Sequence, residues 1–269
     1  ILPLDAASWL GGCIMRHAGP FLKAHRTAEK NISLALPEKT PTEKKAILND
    51  MWDNLGRTIA EYPHLHHIAS RIRITGKEHM EHVRDKKQGT IFFSAHLANW
   101  ELLAVGAKTV NLPAALVYRK PNNPWVDGLL RRARSSAGGT DHIEKGPAGA
   151  KQILSTLRNG GAVGILQDQR LNEGLALPFF GHDAMTATAI AQFALKLGCP
   201  LYPTRIQRLK GAHFAMDILP PLDFSPGNNT ENIQAEILNN INKIIENWVR
   251  EAPAQWLWTH KRWPDKIYQ

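Results

Sequence analysis

Two hydrophobic rhythms alternate along this chain. In the first, Ile47, Leu48, Met51, Trp52, Leu55 and Ile59 recur at steps of three and four residues, the period of an amphipathic helix. Thr40-Pro41-Thr42-Glu43 marks its start: Thr40 as N-cap, Pro41 at the first helical position and Glu43 three residues on compose a capping box. This helix is expected to end before Pro63. Residues 4–34 also read as helical, with Leu10, Ile14, Phe21 and Leu22 set against Arg16, Lys23, His25, Arg26 and Lys30. The second rhythm is the short apolar run. Residues 90–93, 114–118 and 161–167 are β-branched, aromatic or aliphatic, and too short for helices, so they read as core strands. Residues 100–108, 127–137 and 148–158 read as the helices between them, with a short strand at 140–144.

Strands alternating with helices of this length predict a largely parallel sheet with right-handed crossovers. Further along, residues 185–197 read as a helix stopped by Gly198 and Pro200. Residues 201–207 and 213–219 alternate as paired strands around Lys210-Gly211, and residues 230–249 form a long amphipathic helix. Residues 171–184 read as a loop carrying Phe179 and Phe180. The expected architecture is one α/β domain over residues 1–269, a mainly parallel central sheet flanked by helices, with residues 1–70 as a helical N-terminal part.

Charge and cysteine content narrow the classes. A formal net charge of +9 favours acidic partners: nucleic acid, anionic lipid or an acidic protein. The basic residues are dispersed and match no nucleic-acid motif, so nucleic acid is set aside. Cys13 and Cys199 form no Cys-x-x-Cys pair and suggest no disulfide framework, so a reducing compartment is the default. No stretch approaches the ~18 uninterrupted apolar residues of a membrane span. His64, His66 and His67 lack the companions of a metal site, and no metal is expected. The basic amphipathic opening suits a membrane surface or an ordinary packed helix. The tail holds Trp248, Trp256, Trp258 and Trp263, four of the eight tryptophans, which suit either a membrane interface or packing over the core.

Chemistry concentrates where the first core strand ends. After residues 90–93 come Ser94-Ala95-His96-Leu97-Ala98-Asn99-Trp100-Glu101. Ligands in open α/β sheets bind outside the carboxyl ends of strands, where a catalytic base is expected. On a regular helix His96 and Glu101 would stand about 140° apart. With His96 in the turn before the helix, Glu101 inside the helix can fold back against the ring and orient it, as a third group orients a triad's base. A second His-x4-acid pair, His260 and Asp265, lies in the Pro- and Trp-rich tail with no strand before it and reads as accidental. There is no Gly-x-Ser-x-Gly elbow, and no covalent nucleophile is needed.

The block His96-Leu-Ala-Asn99-Trp100-Glu101 resembles the active site of bacterial lipid A biosynthesis acyltransferases, the late lauroyl/myristoyl transferases, which use a His-x4-Asp/Glu pair. Further motifs in the same order carry the resemblance over most of the chain: Asn31 with Leu36-Pro37-Glu38, Asn54-Leu55-Gly56 with Glu61, Tyr118-Arg119, Gln167-Asp168-Gln169, Pro178-Phe179-Phe180-Gly181, and Pro253 to Arg262. The resemblance implies a glycerolipid-acyltransferase-like fold and transfer of a fatty acyl group from a thioester on acyl carrier protein to a hydroxyl of a Kdo-decorated lipid A precursor. No cofactor is implied beyond the acyl thioester co-substrate. It also implies work at the cytoplasmic face of the cell inner membrane, with an N-terminal anchor upstream of Ile1. His96 would deprotonate the acceptor hydroxyl, with Glu101 as its orienter. Asn99, Arg119, Asn122, Arg131, Asp168 and Gln169 are the candidate substrate-binding residues, the cations suiting an acidic carrier and a phosphorylated acceptor. Asp168, at the end of its own strand, would be substrate-facing, supporting or structural.

Two rivals remain open. The acceptor could be another lipid, a glycerophosphate or a mannosylated inositol lipid. Glycerophosphate acyltransferases add a Pro-Glu-Gly block after the histidine, whereas here Pro37-Glu38 precedes it and Lys39 follows, which argues against that acceptor. Alternatively, the chain would be a non-catalytic basic protein binding anionic membrane.

Overall fold

A computed structural model describes residues 2–118, 128, 141–224 and 230–269. The helical opening is broken once: α1 (Leu4–Ala18) and α2 (Lys23–Ala35) flank a 3-10 turn, Gly19–Phe21. Pro20 has no backbone N–H to continue a helix, so the expected single helix becomes two. The capping box opens α3 (Pro41–Glu61): Glu43 N–H donates to Thr40 Oγ1, and Thr40 N–H donates to Glu43 Oε2. α1 lies against α3 at backbone distance, since a Cβ on Gly11 would meet Gly56 O at 2.4 Å. Short α4 (Leu65–Ile68) leads to β1 (Ile72–Thr75) and α5 (Lys77–Lys86).

Next come β2 (Thr90–Ser94), α6 (Leu102–Thr109), β3 (Ala114–Tyr118), β4 (Asp141–Glu144), α7 (Pro147–Arg158) and β5 (Ala162–Leu166). Then follow β6 (Arg170–Phe179), β7 (His182–Thr186), α8 (Ala189–Leu197), β8 (Leu201–Lys210), β9 (His213–Ile218) and α9 (Thr230–Glu251). Seven strands form one sheet in the order β1-β9-β8-β2-β5-β3-β4. Every neighbouring pair is parallel except β8 with β9, the hairpin anticipated around Gly211. Ile91 and Phe93 of β2 face a core shared with Ala191 of α8 and Ile241 and Ile245 of α9. Phe92 faces the opposite core with Met80, Val83, Leu102 and Val105. Helices on both faces are what buries a parallel strand such as β2 along its whole length.

Residues 171–184, expected as a loop, belong to the antiparallel hairpin β6–β7. Phe180 and Gly181 both have positive φ, 52° and 73°, as a type I′ turn requires. Glu246 of α9 accepts the Phe180 N–H at 2.8 Å, which holds the non-glycine residue in that conformation. The tail packs over this hairpin. Trp256, Trp258 and Trp263 are buried, with Trp263 donating its indole N–H to Phe179 O. Arg262 is buried among them, its guanidinium donating to Met185 O and Thr186 Oγ1 and lying over the Phe179 ring. Burial pulls that guanidinium down to about 10. The tail tryptophans are core.

Candidate active site

The central strands bring the reactive groups together by register. Ser94 of β2 pairs with Leu166 of β5, and Gln167 N–H extends the ladder to Ser94 O. His96 and Asp168 each stand two residues past that pair. Parallel neighbours are ~4.8 Å apart, so equal offsets place these side chains within reach. His96 Nδ1 lies 2.8 Å from Asp168 Oδ1, and the His96 backbone N–H donates to Oδ2 at 2.9 Å. Trp256 of the tail donates its indole N–H to the same Oδ2 at 2.7 Å. Burial pushes the Asp168 carboxyl up, but the electrostatic pull of the His96 ring and these three bonds outweigh it and hold the group below the usual carboxylate range. An ionised Asp168 accepts from Nδ1–H, which leaves the Nε2 lone pair of His96 directed away from it.

The expected partner was Glu101, and the structure corrects this. Glu101 is the N-cap of α6 rather than a residue within it. Its Oε1 accepts from Tyr62 Oη at 2.8 Å and from Trp100 Nε1 at 3.2 Å. The turn before α6 carries Glu101 to the wall of the same cavity as His96, while the carboxylate on the imidazole comes from the neighbouring strand. Trp100, held by Glu101, meets the His96 ring edge-on with centroids 5.2 Å apart. Asn99 is likewise corrected: it is fully buried, donating to Glu61 Oε2 at 2.9 Å and accepting the Glu101 N–H at 3.2 Å. It shapes the turn rather than facing substrate. Asp168, itself buried, supports the histidine and does not line the cavity wall. Arg119, Asn122 and Arg131 lie outside the described residues.

The turn is clamped from two sides. Ala98, at φ 48°, gives its carbonyl to Thr58 Oγ1 and Asn54 Nδ2 of α3. Its N–H reaches Gln255 O, and Leu257 N–H reaches His96 O, so the tail adds a strand-like pairing to the histidine turn. Below, Arg208 of β8 donates to both oxygens of buried Glu61, to Asn54 and to Thr58.

A cavity of about 570 Å³ opens above the carboxyl ends of β3 and β5. His96, Gln169, His260, Glu101, Tyr62 and Trp100 line its upper part, and Leu103, Leu116, Val117, Gly164 and Leu166 are its apolar wall. Lys145, Arg170 and Lys261 add a basic rim, and His142 of β4 lies in register beside Leu116. Gln169, a candidate substrate-binding residue in the sequence, stands between two imidazoles: its amide Nε2 lies 3.3 Å from His96 Nε2 and 3.2 Å from His260 Nε2. His260 was passed over in the sequence because no strand precedes it. The tail delivers it through Asn31, whose side chain donates to His260 O and Trp258 O. An imidazole with one nitrogen fixed on a buried carboxylate and the other facing a cavity has the arrangement that general-base catalysis requires.

Comparisons with known proteins point to one family. The sequence model of the family described as bacterial lipid A biosynthesis acyltransferase matches residues 1–265. The chain is 26% identical over 279 residues to lipid A biosynthesis palmitoleoyltransferase of Escherichia coli (strain K12), covering 97% of this chain and 86% of that protein. It is 26% identical over 276 residues to lipid A biosynthesis lauroyltransferase of the same strain, with the same two coverages. Against the lipid A biosynthesis myristoyltransferase of that strain it is 25% identical over 257 residues, 91% of this chain and 77% of that one.

Proposed function

The chain belongs to the bacterial lipid A biosynthesis acyltransferases, an enzyme family, and from that premise we propose that it moves a fatty acyl group from an acyl carrier protein thioester to a hydroxyl of a Kdo-lipid A precursor, with His96 as general base. The observation that carries the mechanism is the pair His96–Asp168, with Nδ1 on a buried carboxylate and Nε2 turned to the cavity.

In the proposed step the acceptor hydroxyl displaces the Gln169 amide from Nε2. His96 takes the hydroxyl proton as the oxygen attacks the thioester carbonyl carbon, and Asp168 stabilises the imidazolium that forms. The tetrahedral oxyanion needs donors, and the displaced Gln169 amide is already in place. When the carbon–sulfur bond breaks, His96 returns the proton to the departing sulfur. Glu101 acts through Trp100 and Tyr62, holding the wall against which the imidazole rests. The basic rim suits an acceptor that carries phosphates and a carrier that is acidic.

The reading includes the inner membrane surface as the place of work, since the acceptor is a lipid. Among the described residues no helix is long and apolar enough to cross a membrane, while Trp9, Ile14 and Phe21 stand exposed on the N-terminal helical part.

The test is transfer of a labelled acyl group from acyl carrier protein to a Kdo-lipid A precursor in detergent, wild type beside His96→Ala. Expected is transfer by wild type and a loss of about 10²–10⁴-fold in a folded His96→Ala protein, the range for a general base. Transfer that survives the substitution removes His96 as the base. A wild type that acylates a glycerophosphate or mannosylated inositol lipid but not the Kdo-lipid A precursor overturns the acceptor.

A further inference from the structure

The innermost lining row of the cavity is registered across three strands, Gly164 of β5, Leu116 of β3 and His142 of β4, with Leu166 two residues further along β5. Residues two apart on a strand share a face. The next residue inward from Gly164 on that face is Ala162, which is fully buried, so the cavity ends at the Leu116–Gly164 pair. Gly164 also pairs with Phe92 of β2. His96 lies four residues beyond Phe92, which at ~3.3 Å per residue puts the base at most about 13 Å above the floor. A slot of that depth lined by Leu103, Leu116, Gly164 and Leu166, with the one imidazole of His142 at its side, takes a hydrocarbon chain. A phosphorylated sugar would bury most of its polar groups there with a single imidazole as partner.

We infer that Gly164, together with Leu116, sets the length of acyl chain that the enzyme accepts from its donor; the inference rests on the acyl-transfer reading above. A Cβ at Gly164 would come within 2.4 Å of Leu116 Cδ2. That contact is with the far end of a side chain that can turn, so β5 need not move. Leu116 would turn into the slot it lines and raise the floor. The absence of a side chain at Gly164 is what lets Leu116 lie flat and keeps the lower slot open. The chain's thioester carbon then sits at His96 while its methyl end abuts the floor, so a chain too long for the slot holds its carbonyl above the base.

Donors of graded saturated chain length on acyl carrier protein, read as kcat/KM, test this with wild type, Gly164→Ala, Leu116→Ala and the double variant. Gly164→Ala is expected to move the optimum to shorter chains and to lower the long-to-short kcat/KM ratio roughly tenfold, as the loss of a few buried methylenes implies. Leu116→Ala is expected to move the optimum to longer chains, and the double variant to return towards the wild-type profile. A uniform fall at every chain length, or an unmoved optimum in both single variants, overturns the inference while leaving acyl transfer intact. If Gly164→Ala fails to fold, an unmoved optimum in Leu116→Ala decides against it alone. A wild type that uses no donor of any length overturns the acyl-transfer reading and this inference with it.

Discussion

Asp168 accepts three hydrogen bonds in a place shielded from water, and each bond assumes an oxygen that only accepts. Asp168→Asn turns one of those oxygens into a donor, facing either His96 Nδ1 or both the His96 backbone N–H and Trp256 Nε1–H. A mispaired buried donor costs about 1–3 kcal/mol, and the imidazole loses the partner that fixes its tautomer. In a triad the analogous change lowers kcat by about 10⁴, so we expect a loss of two to four orders of magnitude beside a lowered melting temperature. The sign with pH follows from the depressed carboxyl. Its stabilising contribution is complete above the free value of about 3.9 and is lost as pH falls towards the folded value. The stability gap between wild type and Asp168→Asn, measured by urea unfolding, should therefore narrow as the pH drops below about 4. At Glu101 the outcome differs, because a glutamine oxygen can still accept from Tyr62 and Trp100. Glu101→Gln should retain most turnover, and Glu101→Ala should lose less than His96→Ala; equal or larger loss at Glu101 would mean that it touches the reacting atoms. His96 was legible in the sequence because a histidine just past a core strand has few structural reasons to be there. Its partner was not, since a spacing of four points along the chain to Glu101, whereas Asp168 comes from 72 residues away. The usable signal was the equal offset from two strand ends, which becomes informative only once β2 and β5 are known to be neighbours.

At the scale of elements, the histidine turn depends on α3 and on the tail as much as on its own sequence. Ala98 occupies a left-handed conformation that costs a non-glycine residue about 1–2 kcal/mol, and bonds from Thr58, Asn54 and to Gln255 hold it there. Ala98→Gly relieves that strain but frees the unfolded chain, which takes back about 0.4–1 kcal/mol. The expected net is a gain of up to about 1 kcal/mol in unfolding free energy; a clear loss would show that the methyl group packs for more than the strain. Arg208→Met tests the support beneath. It leaves Glu61 buried without its cation, and breaking such a pair from one side costs about 3–5 kcal/mol. Thermal unfolding should report it. α3, the core strands and the β8–β9 hairpin were readable because their signals are local: a capping box, short β-branched runs, a glycine between alternating segments. The β6–β7 hairpin was missed because its turn uses Phe180 at positive φ, which only the Glu246 bond and the aromatic tail make tolerable. β1 was missed because four residues with two charged or polar side chains carry too little periodicity to read.

Across the whole molecule, the same helix that packs on α3 also turns large apolar side chains to solvent. On α1, Leu4, Ser8 and Gly12 are buried, whereas Trp9, Leu10 and Ile14 are exposed, as are Phe21 and Leu22 in the turn that follows. Trp9 is 60% exposed, Ile14 55% and Phe21 90%. Arg16, Lys23 and Arg26 are exposed on the same N-terminal helices. Membrane surface and packed helix were both available from the sequence, and the structure shows one face packed and the other exposed. Apolar burial plus attraction to anionic headgroups is the combination by which helices lie on bilayers, and it suits an enzyme whose acceptor resides in one. Fully burying one large apolar side chain is worth about 1.5–3 kcal/mol. Replacing Trp9 and Phe21 together by Ser should therefore weaken binding to anionic phospholipid vesicles at least about tenfold in a flotation assay, with the melting temperature unchanged because neither side chain supports the core. Acyl transfer to a soluble, short-chain acceptor analogue should survive the double substitution, since the cavity is untouched. Undiminished flotation would show that this face does not carry the membrane contact, and loss of transfer to the soluble acceptor would show that it serves the site itself.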